Sequence, residues 1–177
     1  MSDALAGVSM HPMHRRDLRV VLDIEKRVFP EPWSSAIFSS ELALRHGRSY
    51  RVAKIGRRVI GYRGLMFSVD EAHVTTLAVA PEYHRHGVAT VLLLDSVATA
   101  IEAGSIHLSL EVAFSNQGAQ GLYKRFGFAP VGIRKGYYQT TGEDAYVMFA
   151  YDINGADYTE RLAKIEDELR ARPEPTR

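Results

Sequence analysis

The stretch EAHVTTLAVAPEYHRHGVATVLLLDSVATAIEAG, residues 71–104, constrains the fold more than any other. Its first part is rich in β-branched residues and reads as a strand closed by Pro81. From Gly87 to about Ala103 it reads as a helix, uncharged until Asp95 and ended by Gly104. His84, Arg85 and His86 stand at the mouth of that helix. The first turn of a helix leaves backbone N–H groups without internal partners, and the macrodipole makes that end partly positive. Glycine lets the backbone approach a bulky anion, and arginine adds a permanent charge with forked donors suited to phosphate. The sum is a phosphate cradle. The plainer reading is an exposed basic turn that happens to hold a glycine. No Gly-Lys-Ser/Thr follows, so this is not a Walker loop, and one glycine is too few for the dinucleotide fingerprint.

The rest of the chain supplies the partners of this unit. Residues 17–29 place Leu18, Val21, Leu22, Ile24, Glu25 and Val28 at mostly helical spacing, and Pro30 and Pro32 stop the pattern. A second helix starts at Ser34 or Ser35 as cap, with Gly47 as its stop. Residues 49–69 read as two strands about a turn at Gly56-Arg57, and SIHLSLEVAF as another strand. A short helix follows, with Asn116 as cap and Gly127 as exit. Two strands joined by Thr-Thr-Gly come next, and then a charged helix over 156–171 with Tyr158, Leu162, Ile165 and Leu169 on one stripe. After a first segment whose strand character stays open, the order is ααββ, β, α, β, α, ββ, α. This predicts an α/β fold: a mixed sheet of about six or seven strands, flanked by about four helices, plus a C-terminal helix. The expected divisions are a loose tail at 1–7, one domain over 8–153, and an amphipathic helix with a disordered end over 154–177.

Composition excludes several classes. Among 177 residues, 22 Lys+Arg face 21 Asp+Glu, a net charge of +1, which argues against a general nucleic-acid or membrane-surface binder. The absence of cysteine removes disulfides, thiolate metal sites and a cysteine nucleophile, and with no secretory signal it points to the cytoplasm. The closest histidine pairs, HRH and HPMH, lack a carboxylate set at ligand spacing, so no metal is expected.

The loop His84-Arg85-His86-Gly87-Val88-Ala89 resembles the Gln/Arg-x-x-Gly-x-Gly/Ala motif of the GNAT N-acetyltransferases, with His84 departing from the first position. HVTTLAVAPEYHRHGVATVLL, LSLEVAFSNQGAQGLYKRFGF and GIRKGYYQTTGEDAYVM follow one another at the spacing of that family. The likeness covers roughly residues 8–152 and is greatest for the ribosomal-protein-alanine (RimI-type) branch, which acetylates a protein N-terminal amine. The resemblance implies acetyl-coenzyme A as co-substrate, with its diphosphate held by His84, Arg85, His86, Gly87, Val88, Ala89 and Thr90. It implies that Leu77, Ala78 and Val79 hold the pantetheine arm, that an N–H near Val79 faces the thioester oxygen, and that Asn116 caps its helix or meets the arm. Glu111 is implied as general base and Tyr123 as general acid. Trp33, Tyr137 and Tyr138, with Glu71 as partner for the substrate ammonium, are implied to line the substrate groove, and Phe38 could add to its wall.

From the residues alone, Glu111 is equally an ordinary carboxylate on a strand face, where alternation sets it with Ser109 and Ala113 opposite Leu108, Leu110 and Val112. Tyr123 is equally a core tyrosine beside Leu122 and Phe126. A glutamate in a partly enclosed cleft is expected to have a raised pKa, which suits a base working near neutrality. The expected partner is a protein or peptide N-terminus, with neither nucleic acid nor membrane, and the expected state is a monomer or weak dimer. A small-molecule amine as acceptor would want a narrow, acidic groove. A non-catalytic acyl-coenzyme A module would have lost the base and the acid. A nucleic-acid binder built on Arg57-Arg58, Arg134-Lys135 and the HRH loop is opposed by the balanced charge.

Overall fold

The structure is a computed structural model that describes residues 7–171. The tail expected at the N-terminus, apart from Gly7, and the Pro-rich end after Ala171 lie outside the described residues. In chain order the elements are β1 (Val8–Pro12), α1 (Leu18–Val28), α2 (Ser35–Ala43), β2 (Arg48–Ile55), β3 (Arg58–Phe67), β4 (Glu71–Val79), α3 (Val88–Glu102), β5 (His107–Ala113), α4 (Gln117–Arg125), β6 (Ala129–Tyr138), β7 (Glu143–Ala150) and α5 (Ala156–Arg170). The strands form one mixed sheet in the order β1-β2-β3-β4-β5-β7-β6. Among the described residues only β4 and β5 pair in parallel, because a crossover helix, α3, joins them.

Helices α1 and α2 cover one face, where Val21, Ile24 and Phe38 bury themselves against Val52 and Tyr62. Helices α3, α4 and α5 cover the other, where Leu93, Val97, Phe126 and Ile165 meet Leu65, Leu108 and Met148. Full burial of one such side chain contributes about 1.5–3 kcal/mol relative to exposure. Asp95, the first charge of α3, is held by Arg63 of β3 through nitrogen–oxygen contacts of 2.6 and 2.9 Å, and by Arg51 at 2.8 Å. Arg63 is wholly buried and spends its other donors on Ser49 and Thr99, so the ion pair has no unmet group on the guanidinium.

Three local expectations resolve differently or more sharply. Ser34 caps α2 by accepting the Ile37 N–H, but the helix ends at Ala43, well before Gly47. Leu44 turns extended and is 48 % exposed, so the segment offers the core no apolar side that would prolong the helix. Gly47, at φ +72°, instead turns the chain into β2, and its carbonyl accepts the Phe67 N–H. The stripe on α5 packs on its own domain: Tyr158 and Ile165 are buried, and the Tyr158 hydroxyl donates to the Phe126 carbonyl at 2.6 Å.

Candidate active site

The parallel pairing of β4 with β5 stops at Val74 opposite Leu110, although β4 continues to Val79 and β5 to Ala113. Thr75 is the extra residue of a β-bulge against β3, which turns β4 away from β5 at that point. The bulge is braced by Tyr50, whose hydroxyl lies 3.1 Å from the Thr75 hydroxyl and donates to Glu41 at 2.9 Å. Only glycine fits beside them: a Cβ at Gly64 would stand 2.3 Å from the Tyr50 ring and 2.7 Å from Thr75 Oγ1. The splayed strands enclose a cleft of about 630 Å³ with an open β4 backbone edge, a size suited to a cofactor.

The start of α3 borders this cleft. Gly87 takes φ +86° and no side chain caps the helix, whereas Ser34 and Asn116 do cap theirs. The first-turn amides of Val88, Ala89 and Thr90 are therefore without internal partners and line the cleft. Arg85 holds a left-handed φ of +63°, so the loop turns sharply twice within three residues. An uncapped helix start beside a free strand edge fits coenzyme A: amides for its diphosphate, and backbone groups for its amide-bearing arm.

Most of the expected cofactor residues meet here: Leu77, Ala78, Val79, His84, Arg85, Gly87, Val88, Ala89, Thr90 and Asn116 all line the cleft. Two histidines depart from a direct role through their side chains. The His84 ring donates to the Val79 carbonyl at 2.8 Å, bracing the loop on β4. His86 does not line the cleft, and its ring donates to the His84 carbonyl at 2.7 Å. Asn116 caps α4 by accepting the Ala119 N–H at 3.1 Å, which leaves its amide nitrogen for the cleft.

Glu111 and Tyr123 lie on the same cleft. The Glu111 side chain is 6 % exposed, with one oxygen 2.8 Å from His73 Nε2 and the other 3.2 Å from Arg134 Nε. Its expected raised pKa is corrected. Burial does push it up, but the His73 hydrogen bond and the charges of His73 and Arg134 outweigh burial and hold the carboxyl below its ordinary range. For Tyr123, burial and the neighbouring Tyr138 push the phenol up to about 12, so it keeps its proton at neutral pH.

The outer cleft is built by two loops. Trp33, Tyr137 and Tyr138 line it, while Phe38 is buried in the core beneath Trp33, ring centroids 5.3 Å apart. Burial, with Tyr137 and nearby carboxylates, raises the Tyr138 phenol to about 12. Glu71 is a second correction: it does not line the cleft, and its carboxylate accepts the Ser109 hydroxyl on the sheet face behind Glu111. Sequence reasoning missed Glu31, whose carboxylate accepts the Thr140 N–H and ties the loop after α1 to the β6–β7 hairpin. It read Glu25 only as part of a helical stripe. That buried carboxylate accepts the Trp33 N–H at 2.9 Å and the Tyr62 hydroxyl, and burial raises it to about 7. A charged residue on an apolar stripe was the available signal. Among the described residues no cluster of three or more His, Asp or Glu could hold a metal, and no helix is long and apolar enough to cross a membrane.

Comparisons with known proteins agree with this geometry. A Bacillus subtilis (strain 168) protein, provisionally named as a [ribosomal protein bS18]-alanine N-acetyltransferase, is 39% identical over 137 residues, 77% of this chain and 91% of that one. The [ribosomal protein bS18]-alanine N-acetyltransferase of Escherichia coli (strain K12) is 34% identical over 134 residues, 75% of this chain and 89% of that one. The crystal structure of the ribosomal-protein-S18-alanine N-acetyltransferase from Escherichia coli superposes with a TM-score of 0.75 at 29% identity, covering 82% of this chain and 94% of that one. With the Acetyltransferase (GNAT) family matching residues 18–128, which span both the splayed strands and the start of α3, the chain belongs to that family and is an N-acetyltransferase.

Proposed function

We propose that this enzyme acetylates the N-terminal α-amine of a protein, with the N-terminal alanine of a ribosomal protein as its substrate. The observation that carries the reading is the meeting of Glu111, Tyr123, the uncapped start of α3 and the Tyr137–Tyr138 wall on one cleft. Acetyl-coenzyme A, when bound, supplies the acyl group as a thioester. The amides of Val88, Ala89 and Thr90 then neutralise its diphosphate, and the open edge of β4 aligns its arm. Glu111 takes the amine's proton, directly or through a water, and Tyr123 donates its phenolic proton to the departing sulfur. Trp33, Tyr137 and Tyr138 flank the incoming peptide. The cleft is not an acidic funnel of the kind a polyamine would want. Its three glutamates include Glu25, half neutralised by burial, and Arg85 and Arg125 line the same cleft.

The packing of α5 on its own domain supports a monomer or weak dimer. The test pairs the purified chain and acetyl-coenzyme A with peptides starting in Ala, Ser or Met and with internal-lysine peptides. Thiol release is expected with the alanine-starting peptide; release only with the internal-lysine peptides would overturn the reading.

A further inference from the structure

Glu111 is nearly sealed, yet in the reading above it must shed a proton every turnover. Of the two groups on its carboxylate, Arg134 is a guanidinium and takes no proton, whereas His73 is a base. His73 and Ser109 are direct partners in the parallel ladder, so Glu71, His73, Ser109 and Glu111 stand on one sheet face. His73 Nδ1 lies 2.7 Å from Ser109 Oγ, and the Ser109 hydroxyl also meets the Glu71 carboxylate. Four groups thus make three consecutive contacts: Glu111–His73, His73–Ser109 and Ser109–Glu71.

A count of protons decides what this row can do. Three hydrogen bonds need three protons. A neutral imidazole supplies one and the serine hydroxyl another. The third resides on the imidazole or on one of the carboxylates, and each placement completes all three bonds. A row with equivalent complete arrangements passes a proton along without breaking its connectivity.

We propose that His73, Ser109 and Glu71 form a proton relay that drains Glu111 away from the cleft. The relay rests on Glu111 acting as the base. The Glu111 Oε2–H bond breaks as His73 Nε2–H forms. The Nδ1–H proton passes to Ser109 Oγ, and the serine proton passes to Glu71 Oε1. The net change is one proton moved from Glu111 to Glu71, with no electron transferred, and Glu71, only half-buried, releases it to water. The direction matters because a bound coenzyme arm and peptide close the cleft side of Glu111. The three residues act through Glu111 and do not touch the substrate. The charged groups around His73 are Glu71 on its own strand, Glu111 on β5 and, beyond Glu111, Arg134 on β6.

The test uses the full chain with acetyl-coenzyme A and an alanine-starting peptide, both saturating. Ser109→Ala and Glu71→Gln are each expected to lower kcat about tenfold over many turnovers, below the full worth of a positioned proton transfer. KM for both substrates should stay unchanged. Ser109→Thr, which keeps the hydroxyl, should retain the rate, and His73→Ala should recover with added imidazole. The rate of the unsubstituted chain across mixtures of light and heavy water should curve, as several protons move together, and become linear in Ser109→Ala. Ser109→Ala at full rate with the same curvature would overturn the relay. Histidine proton NMR decides without any acceptor: a far-downfield His73 Nδ1–H is expected, and its loss in Ser109→Ala. Absence of that resonance in the unsubstituted chain would overturn the relay too. Failure to acetylate any peptide while the resonance is present would instead count against the proposed function.

Discussion

Glutamine at position 25 should remove a pH dependence that the wild-type fold carries. Glu25 lies on the buried stripe of α1, and burial raises its carboxyl from the ordinary 4.5 to about 7, against the pull of the Trp33 N–H. The folded chain therefore keeps this proton up to about pH 7, while the unfolded chain releases it near 4.5. Between those values unfolding releases a proton, so stability is greatest at the acid end and falls as pH rises. At 1.36 kcal/mol per pKa unit the full effect is about 3 kcal/mol, of which about 2.5 falls between pH 5 and 8. The Tyr62 hydroxyl, donating to the second oxygen, favours the ionised form and makes this an upper bound. Glu25→Gln keeps an oxygen for the Trp33 N–H and can turn its NH2 toward the Tyr62 oxygen, but carries no charge. Urea unfolding at pH 5, 6, 7 and 8 reads the outcome. Relative to wild type, the variant should gain about 2 kcal/mol across that range, with an unchanged denaturant slope. Parallel profiles for the two proteins would show that Glu25 does not titrate in this window and that burial does not raise its carboxyl.

Three further outcomes follow from the same geometry. Glu111→Gln should lower turnover at least a hundredfold, within the range of a lost general base, while calorimetry finds coenzyme A affinity nearly unchanged; equal loss of both would make the residue structural. Tyr123→Phe should lower turnover about tenfold or more with the fold intact, because the residue lines the cleft and its hydroxyl makes no hydrogen bond to protein among the described residues; a full-rate variant would remove it as the acid. Asp95→Leu strands the guanidinium of Arg63 in the core and should cost about 3–5 kcal/mol in urea unfolding, an effect that a surface pair would not show.

What the sequence made legible was local chemistry, and what it hid was the meeting of segments. The uncharged run before Asp95, the β-branched strand before Pro81 and the caps Ser34 and Asn116 each act within a few residues, so their elements could be read directly. The relay could not be read, although alternation alone sets Glu71 with His73 and Ser109 with Glu111. The ladder that puts His73 beside Ser109 joins strands separated by a whole helix. The pKa of Glu111 was misjudged for the same reason. Enclosure was foreseeable, but His73 and Arg134 reach it from two other strands, and their charges reverse the sign that enclosure sets. Gly47 misled because a glycine after a helix is usually its stop, and here the apolar pattern had already ended.

If Glu111 is the base proposed above, its lowered pKa bears on which amine this enzyme can use. In the resting state a carboxylate held so low draws a proton from an ammonium poorly, so an acceptor that arrives neutral is favoured. A protein α-amine, titrating near ~8, is about a quarter neutral at pH 7.5, whereas a lysine near ~10.4 is neutral about 190 times less often. That ratio is worth about 3 kcal/mol in favour of the N-terminus before any contact with the groove. In its proposed role Glu111 would then act late, taking the proton as the nitrogen commits its lone pair to the acyl carbon and turns acidic. With an alanine-starting peptide held below its KM, the rate should therefore rise with pH and level off near the amine's own pKa. Replacing that alanine by a fluorinated alanine, whose amine is more acidic, should move the plateau to lower pH by the same interval. A plateau that stays in place when the acceptor changes would mean that a group of the enzyme, and not the incoming amine, is being titrated, and that the amine does not have to arrive neutral.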